Sequence, residues 1–228
     1  MTTELLHYLE KYCASPSIVA LSDSGSGMEA LPAEWIDLLS LEGKERISYV
    51  VALWERFGEG LSEVTDKLKS SLISVDLLKE GDSYSLLYGI SATDRILYYQ
   101  AKNPICRKFN SKIDSLWPSV PQSIRDFYAV HDGWFYLASH SMGLLPAEEL
   151  FVLSDEDWGI LDEIGQAPVN LDTTIAFFTN GMSGYVCLDV STSKEECVAM
   201  IWWSNKLPKM DLKFWDIIDS WTAIGLNG

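Results

Sequence analysis

The side chains best suited to move protons or hold a metal near neutral pH are the histidines His7, His131 and His140. No HExxH pair occurs, and nothing around them has the spacing of a zinc ligand set. Asp155, Glu156 and Asp157 put carboxylates side by side, but a calcium loop needs glycine at its sixth position. Counted from Asp155 that position is Ile160, and Gly159 falls one residue early. The run therefore reads as a solvated acidic loop, or as a patch that meets a basic partner. Ser183 lies in GMSG, which is not the GxSxG turn that exposes a nucleophile. His131, Asp132 and Ser141 can be written as a triad, yet a triad is defined by geometry, and neighbours in sequence rarely aim at one atom. The glycines Gly25 and Gly27 follow no strand and precede no GK[ST], so no phosphate loop is expected. Cys13, Cys106, Cys187 and Cys197 are too widely spaced for a metal knuckle, and free thiols of this kind are expected as small apolar fillers of a core. No catalytic, metal or cofactor residue is expected from these patterns. An enzyme with an unfamiliar site would need a deep polar pocket on which His131 or His140 converges.

Charge gives a stronger signal. The chain of 228 residues carries 33 acidic and 17 basic residues, a net charge of −16. From His131 to Ile201 there are 12 acids and a single base, Lys194, whereas residues 1–130 carry a net charge of −5 and the tail from Trp202 is balanced. A field of this sign repels phosphate backbones, which argues against direct nucleic-acid binding. It attracts a basic protein and speeds encounter. The alternative is that the acids only keep the protein dissolved. The 9 Trp, 10 Tyr and 8 Phe provide the apolar mass that disordered chains lack. Exposed rings beside acids would suit an interface, since aromatics anchor contacts and charge steers them. No stretch of 18 apolar residues spans a membrane. Met1 to Glu10 lacks the basic and apolar parts of a secretory signal, so a cytoplasmic location is expected.

Several elements are needed to position these residues. Leu5, Leu6 and Leu9 predict a short first helix. The segment Ser22–Gly27 (SDSGSG) reads as a loop, and Pro32 and Glu34 open a second helix with Trp35, Leu38 and Leu39 inward. Ile47, Val50, Val51, Trp54 and Phe57 recur at helical steps up to Gly58 and Gly60. Leu61, Val64, Leu68, Leu72 and Val75 continue that rhythm, which predicts a further helix stopping at Gly81. Ser83–Tyr88 and Arg95–Tyr99 read as strands around a turn at Gly89. Asn103–Ser115 is a polar link or a crossing helix. Beyond it, Ile124, Phe127 and Tyr128 predict a helix with a left-handed exit at Gly133, and Trp134–Tyr136 a loop. Thr173–Thr179, Tyr185–Val190 and Val198–Trp203 predict an antiparallel meander, with the Asn180-Gly181 turn between the first two. Of the paired rings Trp202 and Trp203, one should face the core and one outward. Phe214, Ile217, Ile218, Trp221 and Ile224 line a last helix, with Asp211 placed to cap it and Gly225 to end it. The expected fold is α+β: an antiparallel sheet flanked by helices over residues 111–228, preceded by a mainly helical region over residues 1–110.

The second half also carries an ordered set of motifs: Trp117-Pro118, Val120-Pro121, Phe127-Tyr128, His131-Asp132-Gly133, Gly143-Leu144-Leu145-Pro146, Glu149-Leu150, Phe177–Gly181, Gly184–Asp189, Phe214-Trp215 and Trp221. In order and spacing this resembles the SMI1/KNR4 family, or SUKH superfamily, over Ser115 to Gly228. Asp132 stands where that family usually has asparagine, and both residues tolerate the turn. The resemblance implies a helix-flanked antiparallel sheet without established catalytic residues. It implies an immunity protein that binds and neutralises a cognate polymorphic toxin, often a nuclease, or a non-catalytic adaptor or regulatory scaffold. Residues before about Asn110 have no counterpart in it. A nuclease presents a basic surface to its substrate, and an acidic inhibitor can cover that surface. Charge alone then points to Glu148, Glu149, Asp155, Glu156 and Asp157 as contact residues.

Overall fold

The computed structural model describes residues 3–20, 22, 31–192 and 197–227. The expected loop at Ser22–Gly27, with its two glycines, falls almost wholly outside the described residues, as does Lys194. In chain order the helices and strands begin with α1 (Thr3–Leu9), β1 (Pro16–Val19), α2 (Ala33–Ser40), α3 (Gly43–Glu55) and α4 (Ser62–Ser71). The long strands β2 (Leu72–Glu80), β3 (Ser83–Ser91) and β4 (Ile96–Lys102) follow. Then come α5 (Ser111–Leu116), α6 (Gln122–Val130), β5 (Asp132–Tyr136), β6 (Ser141–Leu144), β7 (Phe151–Val152) and α7 (Ile160–Ile164). The chain closes with β8 (Thr174–Thr179), β9 (Gly184–Asp189), β10 (Val198–Trp203), β11 (Lys209–Lys213) and α8 (Phe214–Gly225).

The strands form one antiparallel sheet in the order β1-β2-β3-β4-β5-β6-β8-β9-β10-β11, with β7 paired beside β8. The N-terminal region is helical at first and then supplies strands to this same sheet. Tyr99 and Gln100 of β4 pair with Tyr136 and Phe135 of β5, so the sheet continues across Asn110 without a break.

Because side chains alternate along a strand, the sheet has two distinct faces. Val75, Leu77, Leu86 and Tyr88 point into the large core, which Trp35, Trp54, Val64, Phe127 and Phe214 of α2, α3, α4, α6 and α8 complete. Within it Trp54 meets Trp134 at a ring separation of 4.7 Å, and Trp134 stacks on Tyr99 at 4.4 Å. Leu78 and Leu87 face the other way and are covered by Leu9 of α1 together with Cys13. Farther along that second face, Ala176, Cys187, Met200 and Trp202 are covered by Leu153, Trp158 and Ile160. Trp202 is thus enclosed, while Trp203 is half-buried.

Several sequence expectations change. The helix expected through Val75 ends at Ser71, and Leu72 and Val75 belong to β2. Gly81, at φ 57°, makes the tight turn between β2 and β3 rather than a helix stop. Gly89 lies inside β3 opposite Tyr98, where a Cβ would come within 2.6 Å of the Ser74 hydroxyl. Trp134–Tyr136 is the strand β5, not a loop. The helix α6 leaves through His131 in extended conformation, and Gly133 bears its φ of 72° within β5, pressed against the backbone of Leu145 and Pro146. Asp211 sits in β11, and α8 starts at Phe214 after Lys213 with no side-chain cap. Ile224 faces solvent, and so does Cys106, which is therefore no core filler.

Candidate functional site

Two regions carry the acids singled out from the sequence or line a polar cleft. The first is the segment between β7 and β8, which covers the second face of the sheet. Its apolar residues turn inward: Trp158 is buried and donates its Nε1–H to the Leu153 carbonyl at 2.6 Å. Ile160 is also buried, and its backbone N–H donates to the Ser204 carbonyl at 2.9 Å, tying α7 to the end of β10. The Ser154 N–H donates to the Leu171 carbonyl at 3.1 Å and closes the neck of the loop. The apolar side being consumed, the acids are left outside. Glu156, Asp157, Asp162, Glu163 and Asp172 are all exposed, and none makes an ion pair among the described residues.

The other acids named from the sequence are placed differently. Asp155 begins the same cover but is paired with Lys112 of α5. Glu148 is paired with Lys102 at the end of β4. Glu149 lies 3.8 Å from the same Lys102 and 3.8 Å from His140 Nδ1. The His140 ring, and then Lys102, hold the Glu149 carboxyl below the usual carboxylate range against the opposing effect of burial. Of the five residues chosen from charge alone, Glu156 and Asp157 keep an unneutralised carboxylate, while Glu148, Glu149 and Asp155 spend theirs on lysines brought from the first 112 residues. Asp162, Glu163 and Asp172 were missed. The available signal was the absence of any base near them in the sequence.

The second region is a cleft of about 700 Å³ above the ends of β2, β3 and β4, walled by residues 103–108. Its floor is polar. Gln100 is buried and donates its amide hydrogens to Glu80 at 2.9 Å and to the Ser85 hydroxyl at 2.9 Å. Lys102 and Asp132 are register partners between β4 and β5, and both line the cleft with Glu148. Asp132 is only 4% exposed, and its Oδ1 accepts the Ala147 N–H at 2.8 Å. Burial pushes its carboxyl up to about 6, although the Ala147 N–H, Arg107 and Lys102 all pull the other way.

The trio His131, Asp132 and Ser141 does not converge. His131 is buried on the core side, with its Nε2 at 2.7 Å from the Tyr88 hydroxyl, and burial pushes its imidazole down to about 3. Asp132 caps the turn at Ala147, and Ser141 shares a hydrogen bond with Ser139 at 2.6 Å. Among the described residues no group of His, Cys, Asp or Glu is arranged to hold a metal ion, and no helix is long and apolar enough to cross a membrane. No family model, no curated protein and no solved structure matches the chain.

Proposed function

We propose that the protein binds a basic partner protein through the acidic cover between β7 and β8, and has no chemistry of its own. The observation that carries the reading is the set of exposed, unpaired carboxylates at Glu156, Asp157, Asp162, Glu163 and Asp172, on a segment whose apolar side is already buried. Acids that served solubility alone would work equally well if scattered. Here five of them lie on one loop held at its neck and at α7, so a partner meets a preformed negative surface there and little ordering entropy is lost on contact.

The motif order from Trp117 to Trp221 supports a more specific form of the proposal: an SMI1/KNR4-like immunity protein that neutralises a cognate bacterial toxin. A nuclease is the partner class that fits best, because its substrate-binding surface must be positive. An acidic body seated there excludes nucleic acid by occupying the same charges. The test is co-expression with a toxin encoded beside its gene, followed by growth measurement and co-purification. Growth rescue together with a stable complex is the expected result. Rescue without any complex would defeat direct binding.

A further inference from the structure

The cleft over β2–β5 holds carboxylates and cations in near balance, but the two are not equally committed. Lys102 is engaged by Glu148 and flanked by Glu149. The Arg107 guanidinium lies over the rings of Phe109 and Trp117 and donates to the Tyr128 carbonyl at 2.9 Å. Of the three cations lining the cleft, Lys108 alone is exposed without an ion pair to a described residue. Beside Glu148, which Lys102 holds, the other two acids of the cleft are the reverse case. Asp132 is almost wholly buried, yet no ammonium or guanidinium is within ion-pair reach of it among the described residues. Its hydrogen bond from Ala147 occupies Oδ1 alone. Glu80 receives the Gln100 amide and lies near the Cys13 thiol, again with no cation in contact. A buried carboxylate without a cation is costly, and the cost is recovered when a cation arrives with its own hydrogen-bond donors.

We propose that this cleft receives an arginine or lysine side chain of a basic protein, with Asp132 as the carboxylate that holds its head group and Glu80 and Gln100 as the polar floor along its path. The proposal rests on the reading of a basic partner, and adds to it a defined socket separate from the acidic cover. Electrostatic attraction by the cover sets the encounter rate, whereas a side chain seated on Asp132 sets how long the complex lasts.

The test uses the whole isotopically labelled chain, titrated with the blocked peptide acetyl-Gly-Arg-Gly-amide well above pH 6, where the Asp132 carboxylate is ionised. The glutamine analogue and inorganic phosphate are the comparisons. Saturable shifts at the Ser85, Lys102, Asp132 and Ala147 amides are expected with the arginine peptide alone. Asp132→Asn keeps an oxygen that can accept the Ala147 N–H, so its fold is retained, and it should weaken binding roughly tenfold. Glu80→Gln should weaken it less, and the double reversal E156K/D157K should leave it unchanged. Shifts confined to Glu156–Asp172, indifference to Asp132→Asn, no shifts at all, or occupation of the cleft by phosphate instead would each overturn the proposal. The acidic-cover reading survives those results. A failed toxin complex with arginine still seated in the cleft would sink the immunity reading and leave a basic partner of another kind for both the cover and the cleft.

Discussion

Asp132 and Glu149 stand close to the same lysine and are shifted in opposite directions, one raised by burial and the other lowered by His140. For Asp132 the consequence can be measured. Below its ordinary value of 3.8 the folded and unfolded chains both hold the proton; from there to about 6 the folded chain holds it and the unfolded chain does not. Folding stability from this group is therefore fully present below 3.8 and is lost as the pH rises through 6. Asp132→Asn cannot titrate and escapes that loss. Urea unfolding of both proteins should show the asparagine variant gaining on the wild type by on the order of 2 kcal/mol between these limits. A stability difference that stays flat with pH would show that burial does not govern this carboxyl.

At the scale of elements, the helix α4 is capped from another part of the chain. None of its own residues caps it, and Asp219 of α8 accepts the Glu63 N–H at 2.9 Å and the Val64 N–H at 2.8 Å. The carboxylate is buried, satisfies two of the helix's free donors and sits at its positive end. Asp219→Ala should cost about 1–3 kcal/mol in chemical denaturation, with Asp219→Asn recovering part of it. A loss below about 0.5 kcal/mol would mean that water replaces the cap at little cost. Such a contact is invisible in the sequence, because 155 residues separate Asp219 from Val64. What the sequence does reveal is local periodicity. Ile47, Val50 and Trp54 announced α3, and the runs TTIAFFT, YVCLDV and VAMIWW announced β8, β9 and β10. The failures have physical causes too. The three- and four-residue steps from Leu61 continue by coincidence through Leu72 and Val75, where β-branched Ile73 and Val75 and the pairing with β3 prevail over the helical rhythm. Trp134–Tyr136 followed a glycine and read as a loop, yet Gly133 is there because Leu145 and Pro146 cross too close for a side chain. The polar cleft was equally hidden, since Glu80, Gln100 and Asp132 meet only once β2 to β5 are side by side.

For the molecule as a whole, folding redistributes the charge that the sequence concentrates between His131 and Ile201. Lysines from β4 and α5 neutralise Glu148, Glu149 and Asp155, and the acids of that stretch left exposed and without an ion pair among the described residues, Glu156, Asp157, Asp162, Glu163 and Asp172, lie on the cover between β7 and β8. Even a surface ion pair contributes only about 0–1 kcal/mol to stability, and the cover acids form none among the described residues, so removing them should disturb association far more than folding. The most direct measurement is the association rate with the basic partner as a function of salt, for the wild type and for Glu156→Lys, Asp157→Lys, Asp162→Lys and Glu163→Lys combined. A wild-type rate that falls steeply with added salt, and a variant that starts at least roughly tenfold slower and responds little to salt, is the outcome expected of electrostatic capture. Equal rates with equal salt slopes would contradict it.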